Sequence, residues 1–537
     1  MKRGDILIAV FVVLAAVAWG APSLDSGYEG PYDEGNTLCS AWRVAGGEAP
    51  YRDFWLINPP GTAYLLAGAF RLFGFTVAVE RAVRVAVIAA AAVLVFSIAR
   101  RLARRGVATA AAFLFVVAPT QTISLRPRDL SVLLVLVAVL VAVVGLEKGA
   151  SRAARLSGAL AGIVFWVKQD VAFCALLAFL VALAAIAALQ AAPGRRGRAA
   201  AGAGLRISAG AAAGALPLLL LVGASGSGPE FVRQVVFFPV FEFTRVRQLP
   251  LSFRLEGLER GWAEGVRGLS LFRAAEVPLL FGALLIVFAA AILRSRPRAK
   301  RDPEDVRNSS VFLVALVGLL LLNVGRVRAD PEHLGVALPF ALAAGAWLLA
   351  PRAPEGRGRV AVLAGGLASV LFLVAAAPSV SGRLREVRVG WIALARGGES
   401  TELLSAPRWV GLPSNILWAA RELSVRVPPG CRTFVGNDRH DAISYNAPLL
   451  YFLSGREGAT RYDNLHPGVA TTAAVQEEII RDLEAHDVRT IVLWRGPALI
   501  EPNASSRSSG VLLLDDWIRQ RFRIAGEKGG LSIRERR

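Results

Sequence analysis

Four short polar stretches of this chain carry residue types that could do transfer chemistry. The first holds Asp33-Glu34, with Tyr51-Arg52-Asp53 and Asn58-Pro59-Pro60-Gly61 further along the same segment. Adjacent carboxylates suit a general base where burial raises one of them toward neutrality, and they could equally hold a divalent metal. Most Asp-Glu pairs are only solvated acidic turns, so this pair takes its weight from its surroundings. The second stretch is Arg126-Pro127-Arg128-Asp129, where Asp129 opens an apolar run and reads as either a helix-dipole partner or a substrate ligand. The third is Lys168-Gln169-Asp170. Lys168 is one of only five lysines among 61 basic residues, and its ammonium either snorkels to an interface or pairs with a phosphate. The fourth, Arg326-Val327-Arg328-Ala329-Asp330-Pro331-Glu332-His333, sets two arginines and a histidine where a phosphate or pyrophosphate could be held. If a metal takes part, Asp33, Glu34 and Asp129 are its candidate ligands. A phosphate-binding Gly-rich loop, His-Glu-x-x-His and Gly-x-Ser-x-Gly are all absent, and the three cysteines form no metal-type cluster.

The elements that must position these residues follow from composition. Of 537 residues 54% are hydrophobic and 19% charged, with a mean hydropathy of +0.49; a soluble chain carries about 25% charge. Several runs of about 16–22 residues are nearly free of charge, long enough to cross a hydrocarbon layer of about 30 Å. A soluble enzyme and a disordered chain are thereby excluded. The net charge of +20 sits largely in short connectors between apolar runs, which points to membrane orientation and not to nucleic acid. Spans are predicted near 6–19 (an uncleaved first span in preference to a signal peptide), 77–99, 107–119, 130–146, 153–167, 171–190, 203–223, 275–293, 309–324, 334–350 and 359–378, about eleven in all. Every second connector is short and Arg-rich, so that side is cytoplasmic and the N-terminus lies inside. The other side receives the loops 21–76 and 224–274 and the tail 383–537. Within the tail, Thr433–Gly436 and Thr490–Trp494 read as strands and Thr472–His486 as an amphipathic helix, the pattern of a small α/β domain. The expectation is a polytopic α-helical membrane domain over 1–382 and an extracytoplasmic α/β domain over 383–537.

This topology brings all four polar stretches to one outer face. Acids that can activate a nucleophile, beside cations that can hold a departing phosphate, outline a transfer from a lipid-phosphate donor. A transporter or flippase of lipid-linked saccharide would carry ionisable residues near mid-bilayer, whereas these cluster at the outer edge. A non-catalytic scaffold for envelope assembly is the other alternative. It is separable by asking whether the carboxylates are needed while the fold survives.

The Asp33-Glu34 pair after the first span resembles the acidic motif of GT-C glycosyltransferases. Pro50-Tyr51-Arg52-Asp53-Phe54 and Pro59-Pro60-Gly61 look like the same loop in the branch of protein O-mannosyltransferases and aminoarabinose transferases. In that branch a second acid opens the fourth span, as Asp129 does, and a Lys-Gln pair like Lys168-Gln169 follows the fifth. The resemblance covers roughly residues 1–350. It implies a GT-C-type hexosyl- or pentosyltransferase of a bacterial inner membrane. Its donor would be a polyprenyl-phosphate sugar and its acceptor an extracytoplasmic lipid, glycan or protein. Membrane lipid would be a partner, nucleic acid would not, and metal use is open. On this reading Asp33 is the general base, Glu34 orients the acceptor or shares a metal, and Asp129 positions substrate. Lys168, Gln169, Arg326, Arg328, His333, Tyr51 and Asp53 bind substrate. The chain departs from the branch in lacking a recognisable lipid A acceptor pattern and the large inserted domain of the eukaryotic mannosyltransferases. The tail resembles outer domains of bacterial relatives to which no activity attaches, and its Asp438–Asp441 and Arg461–Asp463 read as ordinary loop polars in preference to acceptor-binding residues.

Overall fold

The structure, a computed structural model, describes residues 3–118, 122–252, 269–295, 302–349, 383–392, 400–442, 444–466, 468–496 and 503–537, with 255, 256, 259, 297, 395, 396 and 501. Helices follow the apolar runs: α1 Arg3–Gly20, α4 Val77–Leu102, α5 Arg105–Val116, α6 Pro127–Lys148, α7 Arg152–Val164, α8 Gln169–Gln190, α9 Arg196–Ala224, α10 Leu269–Ser295, α11 Pro303–Leu321 and α12 Leu338–Leu348. Between α1 and α4 lie two further helices, α2 Asp33–Ala45 and α3 Gly61–Phe73. Among the described residues seven helical segments are long and apolar enough to cross a membrane, so the chain is a multi-pass membrane protein. The remaining predicted spans that the structure describes are shorter: α5, α7 and α12 have 12, 13 and 11 residues. The predicted span 359–378 and the proposed domain boundary at 382 lie outside the described residues.

Close packing in the bundle rests on small residues, because apolar side chains gain nothing by leaving lipid for one another. Helices α7 and α9 touch backbone to backbone. A Cβ on Gly162 would lie 2.2 Å from the Ala211 carbonyl oxygen, and one on Gly214 would lie 2.0 Å from that of Ala159. Gly158 and Gly210 make the same reciprocal contact one turn away. The end of the bundle away from the polar loops is tied by Asp5, which accepts from Arg100 at 3.2 Å and Arg105 at 3.0 Å, and by an Arg101–Glu147 pair.

The C-terminal region holds a short hairpin, β1 Ser400–Leu403 with β2 Ala406–Arg408, and a sheet ordered β3-β4-β6-β5. Strands β3 Phe434–Asn437 and β4 Thr490–Trp494 are parallel; β6 Leu531–Arg536 runs antiparallel to β4 and to β5 Phe522–Lys528. Period-2 alternation sorts the strand residues between two cores. Val435, Val492 and Ile533 face α13 Ser414–Arg426, whereas Phe434, Ile491 and Leu493 face α15 Ala473–Ala485 and α16 Leu513–Arg521. The first of these cores also takes in Leu38, Leu66 and Phe70 from α2 and α3, and the second takes in Trp55 and Phe238. A small helix, α14 Leu449–Ser454, seats directly on α2, where a Cβ on Gly35 would lie 2.1 Å from the Leu449 nitrogen. The sheet domain is therefore built onto the loop that carries Asp33.

Candidate active site

A cavity of about 400 Å³ opens at the polar end of the bundle, where α2, the starts of α6 and α8, the loop before α12 and the C-terminal region meet. Its wall includes Asp33, Arg126, Arg128, Lys168, Arg247, Arg328, Asp330, Glu332 and His333, with Tyr32, Asn58, Tyr445 and His466. Among the described residues lining it, five Arg and Lys face three carboxylates. That excess suits an anionic ligand such as a phosphate.

Local backbone rules place these groups. Asp33 begins α2 after Gly30-Pro31-Tyr32, and Gly30 takes φ +116°, a conformation that favours glycine. The Asp33 carboxylate is 58% exposed and meets Arg126 at 3.0 Å. Arg126 caps α6 with Pro127 in the first turn, where a missing N–H costs nothing. Its guanidinium also reaches Glu29 at 3.3 Å. Glu29 accepts in turn from the Ser124 hydroxyl at 2.7 Å and from the backbone of Ile123 and Ser124. Burial works to raise the Glu29 carboxyl, but the Arg126 charge and these hydrogen bonds outweigh it and hold it below the usual range. Arg128 pairs with Glu332. Lys168 caps α8 and pairs with Asp170 at 3.1 Å. On the opposite wall Asp330 caps the turn Pro331–Leu334, accepting from the His333 backbone and ring at 2.8 Å each. Burial would raise Asp330, yet the contacts to His333 and the Arg328 charge bring it down to about 2.

Asp33, Lys168, Arg328 and His333 line one cavity; the other sequence candidates stand elsewhere. Glu34 points into the protein, where its carboxylate and the Arg81 guanidinium are both fully buried and joined at 2.7 and 3.1 Å. Asp129 is consumed in capping, accepting from the Arg126 N–H at 3.0 Å. Tyr51 is buried, its hydroxyl donating to the Asn58 carbonyl at 2.9 Å and its φ at +72°. Asp53 is taken by Arg52 and the Ala49 N–H. Gln169 donates to the carbonyls of Ile57 and Val235 at 3.3 and 3.1 Å. These last three fold the loop that presents Asn58 and Pro59 to the cavity. Arg326 is exposed and off the described cavity wall.

Of the suggested metal trio, Asp33 pairs with the Arg126 guanidinium, Glu34 with Arg81, and Asp129 accepts from the Arg126 N–H. Among the described residues no group of three His, Cys, Asp or Glu side chains gathers as it would around a metal ion.

Sequence reasoning quoted Arg126 and Arg128 only as neighbours of Asp129, and it passed over Arg247, Tyr445 and Glu501. Arg247 lies in the stretch Thr244-Arg245-Val246-Arg247, within the loop 224–274 that the charge pattern assigns to the outer side, where its basic charge runs against the positive-inside rule as that of the Arg326–Arg328 loop does. That signal was available. Tyr445 and Glu501 come from the tail, where nothing in the spacing marks them.

Residues 58–193 match the family model for dolichyl-phosphate-mannose-protein mannosyltransferase. No curated protein sequence matches the chain. Among solved structures, the chain is similar to ArnT from Cupriavidus metallidurans in its apo state, at 15% identity and a TM-score of 0.55, covering 99% of this chain and 97% of that one. It is also similar to the same protein bound to undecaprenyl phosphate, at 13% identity, a TM-score of 0.54 and coverage of 99% and 98%. The apo oligosaccharyltransferase of Archaeoglobus fulgidus aligns at 13% identity and a TM-score of 0.52, covering 92% of this chain and 70% of that one. The chain has the GT-C fold of these neighbours, with a C-terminal sheet domain.

Proposed function

We propose that this protein is a membrane glycosyltransferase. It moves a sugar from a polyprenyl-phosphate-linked donor to an acceptor at the outer face of a bacterial inner membrane, with residues 383–537 forming an extracytoplasmic domain. The observation that carries the reading is the convergence of Asp33 with five Arg and Lys side chains in one cavity at the polar end of a GT-C bundle. In the reaction the acceptor oxygen or nitrogen attacks the anomeric carbon and forms the new bond there. The bond from that carbon to the phosphate oxygen breaks, and its electron pair leaves with the phosphate. Asp33 receives the acceptor's proton. Arg126, Arg128, Lys168 and Arg328 hold the charge that grows on the phosphate, a stabilisation strongest in the transition state.

The Asp33 carboxylate is paired with the Arg126 guanidinium at 3.0 Å. A donor phosphate reaching Arg126 competes for that cation, and Glu29 keeps the guanidinium in place when Asp33 lets go. The carboxylate is then released from its cation when an electrophile is present to be attacked. Because an aspartate remains a weak base, the proton passes late, after bond formation has made the acceptor acidic. Glu34 has a positioning role: its buried pair with Arg81 fixes the first turn of α2 and so the place of Asp33.

The test is sugar transfer from a panel of radiolabelled polyprenyl-phosphate sugars into an envelope extract, with purified wild type and Asp33→Asn compared. Transfer from one donor that falls by about 10²–10⁴ in the variant is the expected result. Unchanged turnover by folded Asp33→Asn sinks the assignment of the base, and silence of the wild type across the panel sinks the donor class.

A further inference from the structure

Arg247 and Arg328 form a second anion site whose occupant is part of the protein. A backbone bridge joins the segments that carry them. Leu249 N–H donates to the Val327 carbonyl and Ala329 N–H to that of Leu249, each at 2.8 Å. The two guanidiniums therefore converge from paired segments and not from loose loops. Between them sits the Glu501 carboxylate, accepting from Arg247 at 3.0 Å, from both terminal nitrogens of Arg328 at 3.1 and 2.8 Å, and from the Asn503 amide at 2.9 Å. Arg247 is 3% exposed, and it also donates to the Tyr445 hydroxyl beneath which Tyr32 packs at 4.4 Å. Four nitrogen donors reach this carboxylate, one from Arg247, two from the fork of Arg328 and one from Asn503, a geometry that also suits phosphate oxygens. Arg247, Arg328 and Tyr445 all line the cavity that holds Asp33.

We infer that Glu501 is an internal stand-in for the phosphate group, and that the phosphate of a polyprenyl-linked lipid exchanges with it on Arg247 and Arg328. The inference rests on the donor class proposed above and deepens it. Because Glu501 belongs to the C-terminal region, exchange ties the docking of that region to the occupancy of the cavity. Without ligand the carboxylate neutralises two cations whose burial would otherwise be costly. With ligand the phosphate takes over that task and frees Glu501. The arrangement also accounts for why the tail, remote in sequence, reaches the transfer site at all.

The experiment titrates the purified full-length chain in detergent with undecaprenyl phosphate and, separately, with inorganic phosphate. Wild type, Glu501→Gln and the double variant Glu501→Gln/Arg328→Met are compared by affinity and by the ligand-induced change in melting midpoint. Removing the internal competitor should tighten undecaprenyl phosphate binding by about tenfold or more. It should also lower the midpoint without ligand and enlarge the rise that ligand produces. Arg328→Met should erase the gain. If Glu501→Gln does not fold, Glu501→Asp, whose shorter carboxylate competes less well, should show a smaller gain of the same sign. Equal or weaker binding by Glu501→Gln, with wild type still binding the lipid, overturns the exchange and leaves the donor class standing. A gain for inorganic phosphate but not for the lipid assigns the site to a free anion and overturns the link to the donor. If wild type binds neither, the donor class fails and the exchange falls with it.

Discussion

Replacing Asp33 and Glu34 one at a time by their amides should separate the roles of two neighbouring carboxylates. The Asp33 side chain is 58% exposed and its partner Arg126 keeps Glu29 whether or not Asp33 is charged. Exposed ion pairs contribute about 0–1 kcal/mol, so Asp33→Asn should melt close to wild type. Its transfer rate should fall by about 10²–10⁴, the usual weight of a general base. Glu34 is the reverse case. It and Arg81 are both fully buried, and Glu34→Gln leaves the guanidinium to the carbonyls of Ser23, Ser26 and Gly27 and to the Trp409 ring at 4.5 Å. Removing one partner of a buried pair costs about 3–5 kcal/mol. The carbonyls and the neighbouring Glu80 keep the expected loss near the lower end, about 3 kcal/mol. The chain has 11 Trp, so intrinsic fluorescence during heating in detergent gives the midpoints, and turnover is measured well below both. Residual activity of Glu34→Gln per folded molecule should exceed that of Asp33→Asn. A Glu34→Gln protein that melts like wild type yet transfers nothing would show that Glu34 takes part in the chemistry, and the positioning argument would be wrong.

Gly162→Leu should force α7 and α9 apart, since a Cβ there already meets the Ala211 carbonyl oxygen at 2.2 Å; a loss of about 1–3 kcal/mol is expected, read as a lower midpoint, with Gly68→Leu on open space as the neutral control. Gly35→Val should loosen the sheet domain from α2, read as faster proteolysis in the region after residue 400 while the membrane helices stay protected. Asp330 is held at about 2 against its ordinary 3.8, a depressed carboxyl, so its contribution is complete above about pH 4 and is lost as pH falls through 2. At neutral pH that contribution is about 2 kcal/mol, and Asp330→Asn should lower the midpoint at pH 7 by more than at pH 2.5.

How much of this was legible in the sequence depends on how far each feature reaches along the chain. Helix α6 announces itself within its own residues, through Arg126-Pro127 at the start, an uninterrupted apolar run and Gly149 in the left-handed conformation just past the end. The strands β3 and β4 do the same through consecutive apolar residues, Phe434-Val435 and Ile491-Val492-Leu493, buried on both faces. The placing of Asp33, Lys168, Arg328 and His333 on one face needed only the alternation of charged connectors, a property summed over the whole chain.

What stayed hidden is the choice each charged side chain makes among distant partners. Asp33 and Glu34 are adjacent on α2, and helical geometry turns successive side chains by about 100°, so one faces the cavity and the other the core. Nothing local says which. The answer lies in Arg81, 47 residues away, whose burial demands a carboxylate. Asp129 presents the same ambiguity, with a backbone N–H three residues back proving the stronger claimant. In each case the carboxylate nearest a buried donor is drawn to structure, and the one left facing the cavity is available for chemistry. The same rule explains Glu501, which no motif marks. Arg247, buried, and Arg328, half-buried and also 3.4 Å from Asp330, are set on bridged segments and share an anion, and a site that must release one phosphate and accept the next is served by a carboxylate of its own.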